Sequence, residues 1–528
     1  MSERLIFGGT IVDGAGNARI QADIRLRGDM IAEIGDLTAR YQSSAIERID
    51  AQGKIVAPGF IDLHTHSDIA LLGDPDLLCK LSQGITFELL GQDGMSVAPL
   101  TDATAAQWRQ HLQALAGDYG VEWTWRSFGS YLDSFGPTAA NAGSLVGHGT
   151  LRLNVIGMEN RSASAHEIDA MADLLREALD AGAFGLSGGL VYTPGSYAHF
   201  DELVALNRIV ADAGRLWVVH IRFEGDRIRD GMDEMFRLVD ETGVKLHISH
   251  FKVMGRANWG RGGELVQAIE ERRAAGYDVS FDQYPYDAGS TMLTAVLPPW
   301  TNKNGAEGLK QFLTDECALE CMEREIQSGT QNWEGFVALA GWENITIADV
   351  GADDRLDTVG ATVAELGEQW AMTPFRAAVR LLLEYDLGVA MVVHAMSETD
   401  VIEILKSPAR LGGTDALLGG KPHPRAYGSY PRVLGRYCRE LGAIPLELAV
   451  HQMTGAAAVR LGMHDRGVIA PGKKADLCIF DKDLIADRAT YEDPCQLSEG
   501  IEWVFVNGEP VLHQNVLTGH RPGTIIRA

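Results

Sequence analysis

Residues 56–290 repeat a short apolar run followed by a helical stretch, and this repeat limits the possible folds more than any other feature. The runs that predict strands are 56–64, 85–91, 142–148, 183–187, 215–221, 244–250 and 278–284. Helical patterns lie between them, for instance at 165–181, 200–213 and 263–275. Parallel strands need crossover connections of this kind, so the repeat predicts an α/β fold, a (β/α)8 TIM-type barrel, with its first part at 56–291.

The repeat is interrupted between residues 292 and 350, where a polar stretch carries two short helical patterns. We interpret 292–350 as an insertion before the last barrel strand and a candidate lid. A helical pattern at 363–385 and strand-like runs at 389–394 and 410–414 then resume, so the second part of the barrel is placed at 351–462. This makes nine strand candidates for eight positions, and 388–394 is taken as the surplus run.

Both ends of the chain are rich in short β runs separated by turns. Residues 1–55 contain several, divided by Gly-Gly, Asp-Gly and Gly-Asp pairs, and residues 463–528 repeat the style. We therefore expect one small β-sandwich domain built from both termini.

Composition narrows the class of partner. The formal net charge of −26 argues against nucleic acid or an anionic membrane as partner. There is no signal-peptide pattern and no apolar run near 18 residues, and the six cysteines are scattered. These features predict a protein of the reducing cytoplasm. Its oligomeric state stays open, with a homo-oligomer possible.

Side chains that can bind metals end the predicted strands. His64 and His66 alternate along one run, so their imidazoles share a face, and Asp68 lies beside them. One such histidine is more often a core residue than a ligand. Barrel enzymes, however, work at the carboxyl ends of their strands, and the whole set is hard to explain as core. The candidate ligands, in chain order, are His64, His66, Asp93, His220, His250 and Asp415.

Such a set supports hydrolysis. A divalent ion on imidazoles and carboxylates lowers the pKa of a water molecule and polarises a carbonyl oxygen. A nearby aspartate can take the proton of that water and pass it to the leaving nitrogen. Asp415 is the candidate for this catalytic role, with a helix N-cap as its alternative.

The order of these residues resembles the metal-dependent amidohydrolase superfamily, and most of the chain resembles its D-aminoacylase (N-acyl-D-amino-acid deacylase) family. The stretches that carry the resemblance include 56–68, 83–100, 145–149, 182–195, 220–222, 247–255, 284–286, 289–291, 422–425, 431–437 and 466–477. The resemblance implies zinc, as one or two divalent ions, and a clamp for the α-carboxylate of the substrate. The matching clamp positions are Tyr192, Lys252, Tyr284, Ser290 and Arg425. Such a clamp would let an acidic protein bind an anionic amide, although Lys252 and Arg425 could instead be solvated loop charges.

One position departs from the family pattern. Gly-Asn-Cys-Gly is expected after the second strand, with the cysteine as a metal ligand, and Gly91-Gln92-Asp93-Gly94 stands here. Asp93 could ligate as a harder oxygen donor, which would shift preference away from thiophilic zinc. Alternatively, Asp93 only shapes the turn.

The preferred hypothesis is a hydrolase that cleaves the amide bond of N-acyl amino acids and releases a carboxylate and a free amino acid. The D configuration is expected rather than the L configuration. Alternatives are ring opening of a cyclic amide, imide or lactone, cleavage of D-residue dipeptides, and a binding protein derived from an enzyme. Of the other polar residues, His148 and His247 are expected in the core or beside the ligands, and His394 could reach the pocket. Arg222 and Glu224 are expected to form a salt bridge.

Overall fold

The computed structural model describes residues 2–42, 45–329, 332–351 and 358–528, and its centre is a barrel of eight parallel strand positions. In chain order these are Phe60–Asp62, Ile85–Leu90, Asn141–Ser144 with Val146–Gly147, Gly185–Gly189, Leu216–His220, Lys245–Ile248, Val279–Gln283 and Arg410–Gly412. Each strand pairs in parallel with the next. The ring closes where the N–H groups of Leu63 and Asp415 donate to the carbonyls of Gly412 and His64. The predicted TIM-type barrel is confirmed.

Amphipathic helices cover the barrel. The longer ones are Asp102–Ala116, His148–Val155, Ala165–Asp180, Phe200–Asp212, Ile228–Thr242, Gly262–Ala274, Glu398–Leu405, Arg425–Arg432 and Leu446–Met453. The helix predicted at 165–181 shows why they form: Ser164 and Glu167 make a reciprocal capping box at its start. Met171, Leu175 and Leu179 then recur four residues apart and are buried, so one face packs on the barrel.

The insertion is longer than predicted. Strand Ala390–Val393 pairs antiparallel with both Gly289–Met292 and Ile345–Asp349, so this three-stranded sheet lies outside the barrel. The surplus strand is therefore the one that was predicted. The prediction that the barrel resumes at residue 351 is wrong. The helices of the inserted subdomain are Gly305–Thr314, Glu316–Ser328, Phe336–Ala340, Val363–Gln369 and Pro374–Glu384.

The boundary was misplaced because helical periodicity identifies a buried face without identifying the sheet that it covers. Phe375, Leu381 and Leu382 of the last inserted helix join one apolar cluster with Ile345 and Met391 of the inserted sheet. Residues 352–357 lie outside the described part of the chain.

The two chain ends form a β domain together. A four-stranded sheet has the order Met30–Gly35, Asp23–Arg27, Glu3–Phe7, Glu47–Asp50, and a seven-stranded sheet has the order Val516–Leu517, Glu509–His513, Ile501–Val506, Leu477–Phe480, Ile55–Pro58, Thr10–Ile11, Ile20–Gln21. Their facing side chains share one core that includes Ile24 and Phe505.

The start of the barrel differs by a few residues from the predicted one. The run predicted at 56–64 splits at Gly59, because Ile55–Pro58 belongs to the terminal sheet and Phe60–Asp62 begins the barrel. A side chain at Gly59 would meet the Thr86 side chain at 2.3 Å, so only glycine allows this close approach.

No helix within the described ranges is both long enough and apolar enough to cross a membrane.

Candidate metal centre

The six predicted ligands converge at the carboxyl end of the barrel. His220 is the last residue of its strand, whereas His250, Asp93 and Asp415 lie two or three residues beyond theirs. These last three have φ values of 34°, 54° and 50°. Left-handed backbone at residues other than glycine costs about 1 kcal/mol or more and concentrates at functional sites. The strained turns aim these side chains at one point above the barrel.

Asp93 occupies that point. Its Oδ2 lies 3.7 Å from His64 Nε2, 3.6 Å from His66 Nε2, 3.8 Å from His220 Nδ1 and 3.5 Å from His250 Nε2. The candidate ligands thereby divide into two sets that share Asp93. One set adds His64, His66 and Asp415, and the other adds His220 and His250.

The donor set suits divalent metal ions. His64 Nε2, His220 Nδ1 and Asp93 Oδ1 are buried and make no hydrogen bond within the described part of the chain. Buried polar atoms are rarely left without partners, and unpaired imidazole nitrogens beside a carboxylate are what a metal ion needs. Burial alone would raise the pKa of Asp93, but the charges of His250 and His64 hold it well below its usual value. Asp93 is therefore ionised, which is the form in which a carboxylate can bind a metal ion.

Asp415 connects the ligand cluster to a cation. Its Oδ1 lies 3.3 Å from His66 Nε2 and 3.6 Å from His64 Nε2, and its Oδ2 lies 2.8 Å from Arg425 Nη1. Burial would raise the pKa of Asp415, but the Arg425 guanidinium and then His64 hold it below its usual value. Asp415 is thus an ionised carboxylate at the border between the cluster and the rest of the cavity.

All five predicted clamp residues line the same cavity as the ligand cluster: Tyr192, Lys252, Tyr284, Ser290 and Arg425. The buried Arg425 guanidinium lies over the Tyr284 ring, 4.5 Å from its centroid, and donates a 3.0 Å hydrogen bond to the Ser290 carbonyl. The guanidinium is therefore held in a fixed position in the buried wall of the cavity. The Lys252 ammonium is not a solvated loop charge, because it lies 2.5 Å from Glu224 Oε1 and 2.7 Å from His250 Nδ1.

Glu224 lies beside the candidate ligands, a position that the sequence prediction did not give it. Its carboxylate lies 3.2 Å from His250 Nδ1 and 3.4 Å from His220 Nε2, the ring nitrogens that face away from Asp93. A carboxylate in this position orients imidazoles and makes them better ligands. The expected Arg222–Glu224 salt bridge is wrong, since Arg222 pairs with Glu234 instead.

Asp282 supports the other side of the cluster and was not predicted. Its Oδ2 lies 3.3 Å from His64 Nδ1 and 3.1 Å from His247 Nε2. Its Oδ1 accepts a 2.9 Å hydrogen bond from the backbone N–H of His250. His247 is therefore a partner beside the ligands, one of its two expected places. A fully buried aspartate within a strand is itself a signal of such a role.

Three other polar residues are not part of the cluster and have other partners. Asp68 accepts the Gly91 N–H at 3.0 Å, and burial raises its pKa to about 6. His148 lies 2.7 Å from Glu202 within the core. The His394 ring contacts Tyr491, 4.8 Å between centroids, and does not line the cavity.

Comparison with known proteins agrees with this geometry. The amidohydrolase family model matches residues 47–320 and 325–512. The chain is 37% identical to a D-aminoacylase of Alcaligenes xylosoxydans xylosoxydans, over 99% of this chain and 97% of that protein. The chain belongs to the amidohydrolase family, in its D-aminoacylase group.

Another member of this family group is equally similar. An N-acyl-D-glutamate deacylase of Alcaligenes xylosoxydans xylosoxydans is also 37% identical, over 100% of this chain and 97% of that protein. Among solved structures, an N-acyl-D-glutamate deacylase of Bordetella bronchiseptica, complexed with zinc and a phosphonate inhibitor that mimics the tetrahedral intermediate, superposes with a TM-score of 0.82. It is 34% identical, and the match covers 99% of both chains.

Proposed function

We propose that this protein is a metal-dependent deacylase that hydrolyses the amide bond of N-acyl-D-amino acids. The observation that carries the proposal is that a His/Asp ligand cluster and a buried guanidinium share one cavity. The preference for D substrates and for zinc follows from the relatives, among them the deacylase complexed with zinc.

The ligand positions are part of the proposal. His64, His66 and Asp415 would hold one divalent ion, His220 and His250 a second, with Asp93 between them. When bound, such an ion supplies a Lewis acid for the amide carbonyl and for the attacking water. A carboxylate in place of a thiolate at Asp93 favours harder ions than a cysteine would.

The protein side chains position the substrate and move the proton. Arg425 would hold the substrate carboxylate in a charge-assisted pair, helped by Lys252, Tyr192, Tyr284 and Ser290, which line the same cavity. Ionised Asp415 takes one proton from the attacking water while the water oxygen bonds to the carbonyl carbon. Asp415 then gives this proton to the amide nitrogen as the C–N bond breaks, which releases the acyl carboxylate and the free amino acid.

The test combines metal analysis with hydrolysis of N-acetyl-D- and N-acetyl-L-amino acids by chelator-stripped and metal-reconstituted protein. We expect bound divalent metal and D-selective hydrolysis that is lost on stripping. Asp415→Asn should lower kcat by about 100- to 10,000-fold. Metal binding without amide cleavage would favour ring opening of a cyclic amide, and the absence of metal binding would refute the proposal.

We also infer a cytoplasmic location, because each of the six cysteines is a free thiol, as is common in a reducing compartment. A homo-oligomer stays a prediction.

A further inference from the structure

A second, larger cleft lies beside the metal centre, between barrel loops and the inserted subdomain. Its volume is about 610 Å³. Leu190, Tyr197 and Arg222 line it from the barrel, and Met292 and Trp300 line it from the insertion. Tyr192 belongs to the walls of both this cleft and the cavity that holds the candidate ligands. The two spaces are therefore neighbours, and Tyr192 forms part of the wall between them.

The position of the dividing wall indicates which part of a substrate enters. The Tyr192 hydroxyl lies 2.8 Å from Thr291 Oγ1, and Thr291 follows Ser290, whose carbonyl accepts from Arg425. The wall therefore adjoins the side of the cavity where the substrate carboxylate would bind. The group nearest to that carboxylate is the side chain on the same carbon, whereas the acyl group lies beyond the scissile bond.

The described residues of the cleft lining offer no lysine or arginine that is free to pair with a substrate. Among its described lining residues, Arg222 is the one lysine or arginine, and both Nε and Nη2 lie 3.1 Å from the Glu234 carboxylate. Arg222 also donates to the Ser196 carbonyl at 3.0 Å. Burial lowers the pKa of His111 to about 4, so this lining histidine is neutral.

Carboxylates and indoles also line the cleft. Glu325 accepts hydrogen bonds from Trp300 Nε1 at 2.9 Å and from Trp333 Nε1 at 3.0 Å, and Glu334 is a second lining carboxylate. The indoles are thereby fixed as flat apolar surfaces, which suit aliphatic and aromatic groups. The carboxylate of an acidic substrate side chain, placed in this cleft, would lose its hydration without gaining a counter-ion.

We propose that this cleft receives the amino-acid side chain of the substrate, accepts uncharged aliphatic or aromatic side chains, and rejects anionic ones. The inference rests on the proposed deacylase function. Overall similarity does not make this choice, because the D-aminoacylase and the N-acyl-D-glutamate deacylase are both 37% identical to the chain.

The test compares kcat/KM of the metal-loaded protein for N-acetylglycine and for the N-acetyl derivatives of D-leucine, D-phenylalanine and D-glutamate. N-acetylglycine measures hydrolysis without a side chain. We expect D-leucine and D-phenylalanine to exceed glycine, and D-glutamate to fall about 100-fold or more below D-leucine. Equal or preferred cleavage of the D-glutamate derivative would overturn the inference and leave the deacylase function intact. Failure to cleave any of the four would overturn both.

A charge placed in the cleft provides an independent test. Thr294 is half-buried in the lining and lies on the insertion. Thr294→Arg should reduce the D-leucine to D-glutamate ratio by about 10-fold or more, because it supplies a counter-ion. Thr294→Gln is the matched control, since it adds length without charge and should leave the ratio unchanged. Equal effects of the two substitutions would show that charge is not the basis of selection.

Discussion

Replacement of Glu224 tests whether this carboxylate orients the metal ligands. Its two oxygens lie 3.2 Å from His250 Nδ1 and 3.4 Å from His220 Nε2, and its side chain is only 4% exposed, so solvent does not screen these contacts. Loss of one such partner costs a metal site about 10- to 100-fold in affinity. Because one carboxylate supports two ligands here, we expect Glu224→Gln to cost about 100-fold, or about 2.8 kcal/mol.

The assay is competition for the metal against a chromophoric chelator, with circular dichroism to verify the fold. Glu234→Gln is the matched control, because it makes the same chemical change at the partner of Arg222, away from the ligands. The weakened ion should be the one on His220 and His250, while the ion on His64, His66 and Asp415 keeps its affinity. Equal affinities for the two variants would refute the orienting role of Glu224.

Three further substitutions test the clamp, the ligand at the centre of the cluster and a buried acid. Arg425→Lys should raise KM for N-acetyl-D-amino acids and Arg425→Met should raise it more, as seen in steady-state kinetics, because lysine keeps the charge but not the planar fork; equal KM values for both variants and the parent would contradict a clamp role. Asp93→Cys should increase the affinity for zinc relative to manganese in the chelator assay, since sulfur prefers the softer ion; an unchanged ratio would indicate that Asp93 is not a ligand. Burial raises the pKa of Glu334 from 4.5 to about 7, so the folded protein binds an extra proton between these values and its stability falls as pH rises through 7. Glu334→Gln should therefore increase the free energy of unfolding at pH 8, by at most about 3 kcal/mol, but not at pH 4, and equal gains in urea unfolding at both pH values would contradict this cause.

The sequence by itself determined the barrel and the identity of the residues at its catalytic end. Strand and helix periods are local properties, and a barrel brings the carboxyl ends of its strands together whatever the details of packing. His220, His250, Asp93 and Asp415 could therefore be expected to meet before any distance was known.

Only the tertiary structure decided the partners of these residues. Asp282 and His64 are 218 positions apart, and no local pattern shows that one orients the other. Arg425 pairs with Asp415, and Glu224 pairs with Lys252 rather than with Arg222. Both pairings depend on how distant segments of the chain pack together. The same reason applies to the insertion, whose last helices show a buried face in sequence but cover a sheet that only the folded chain assembles.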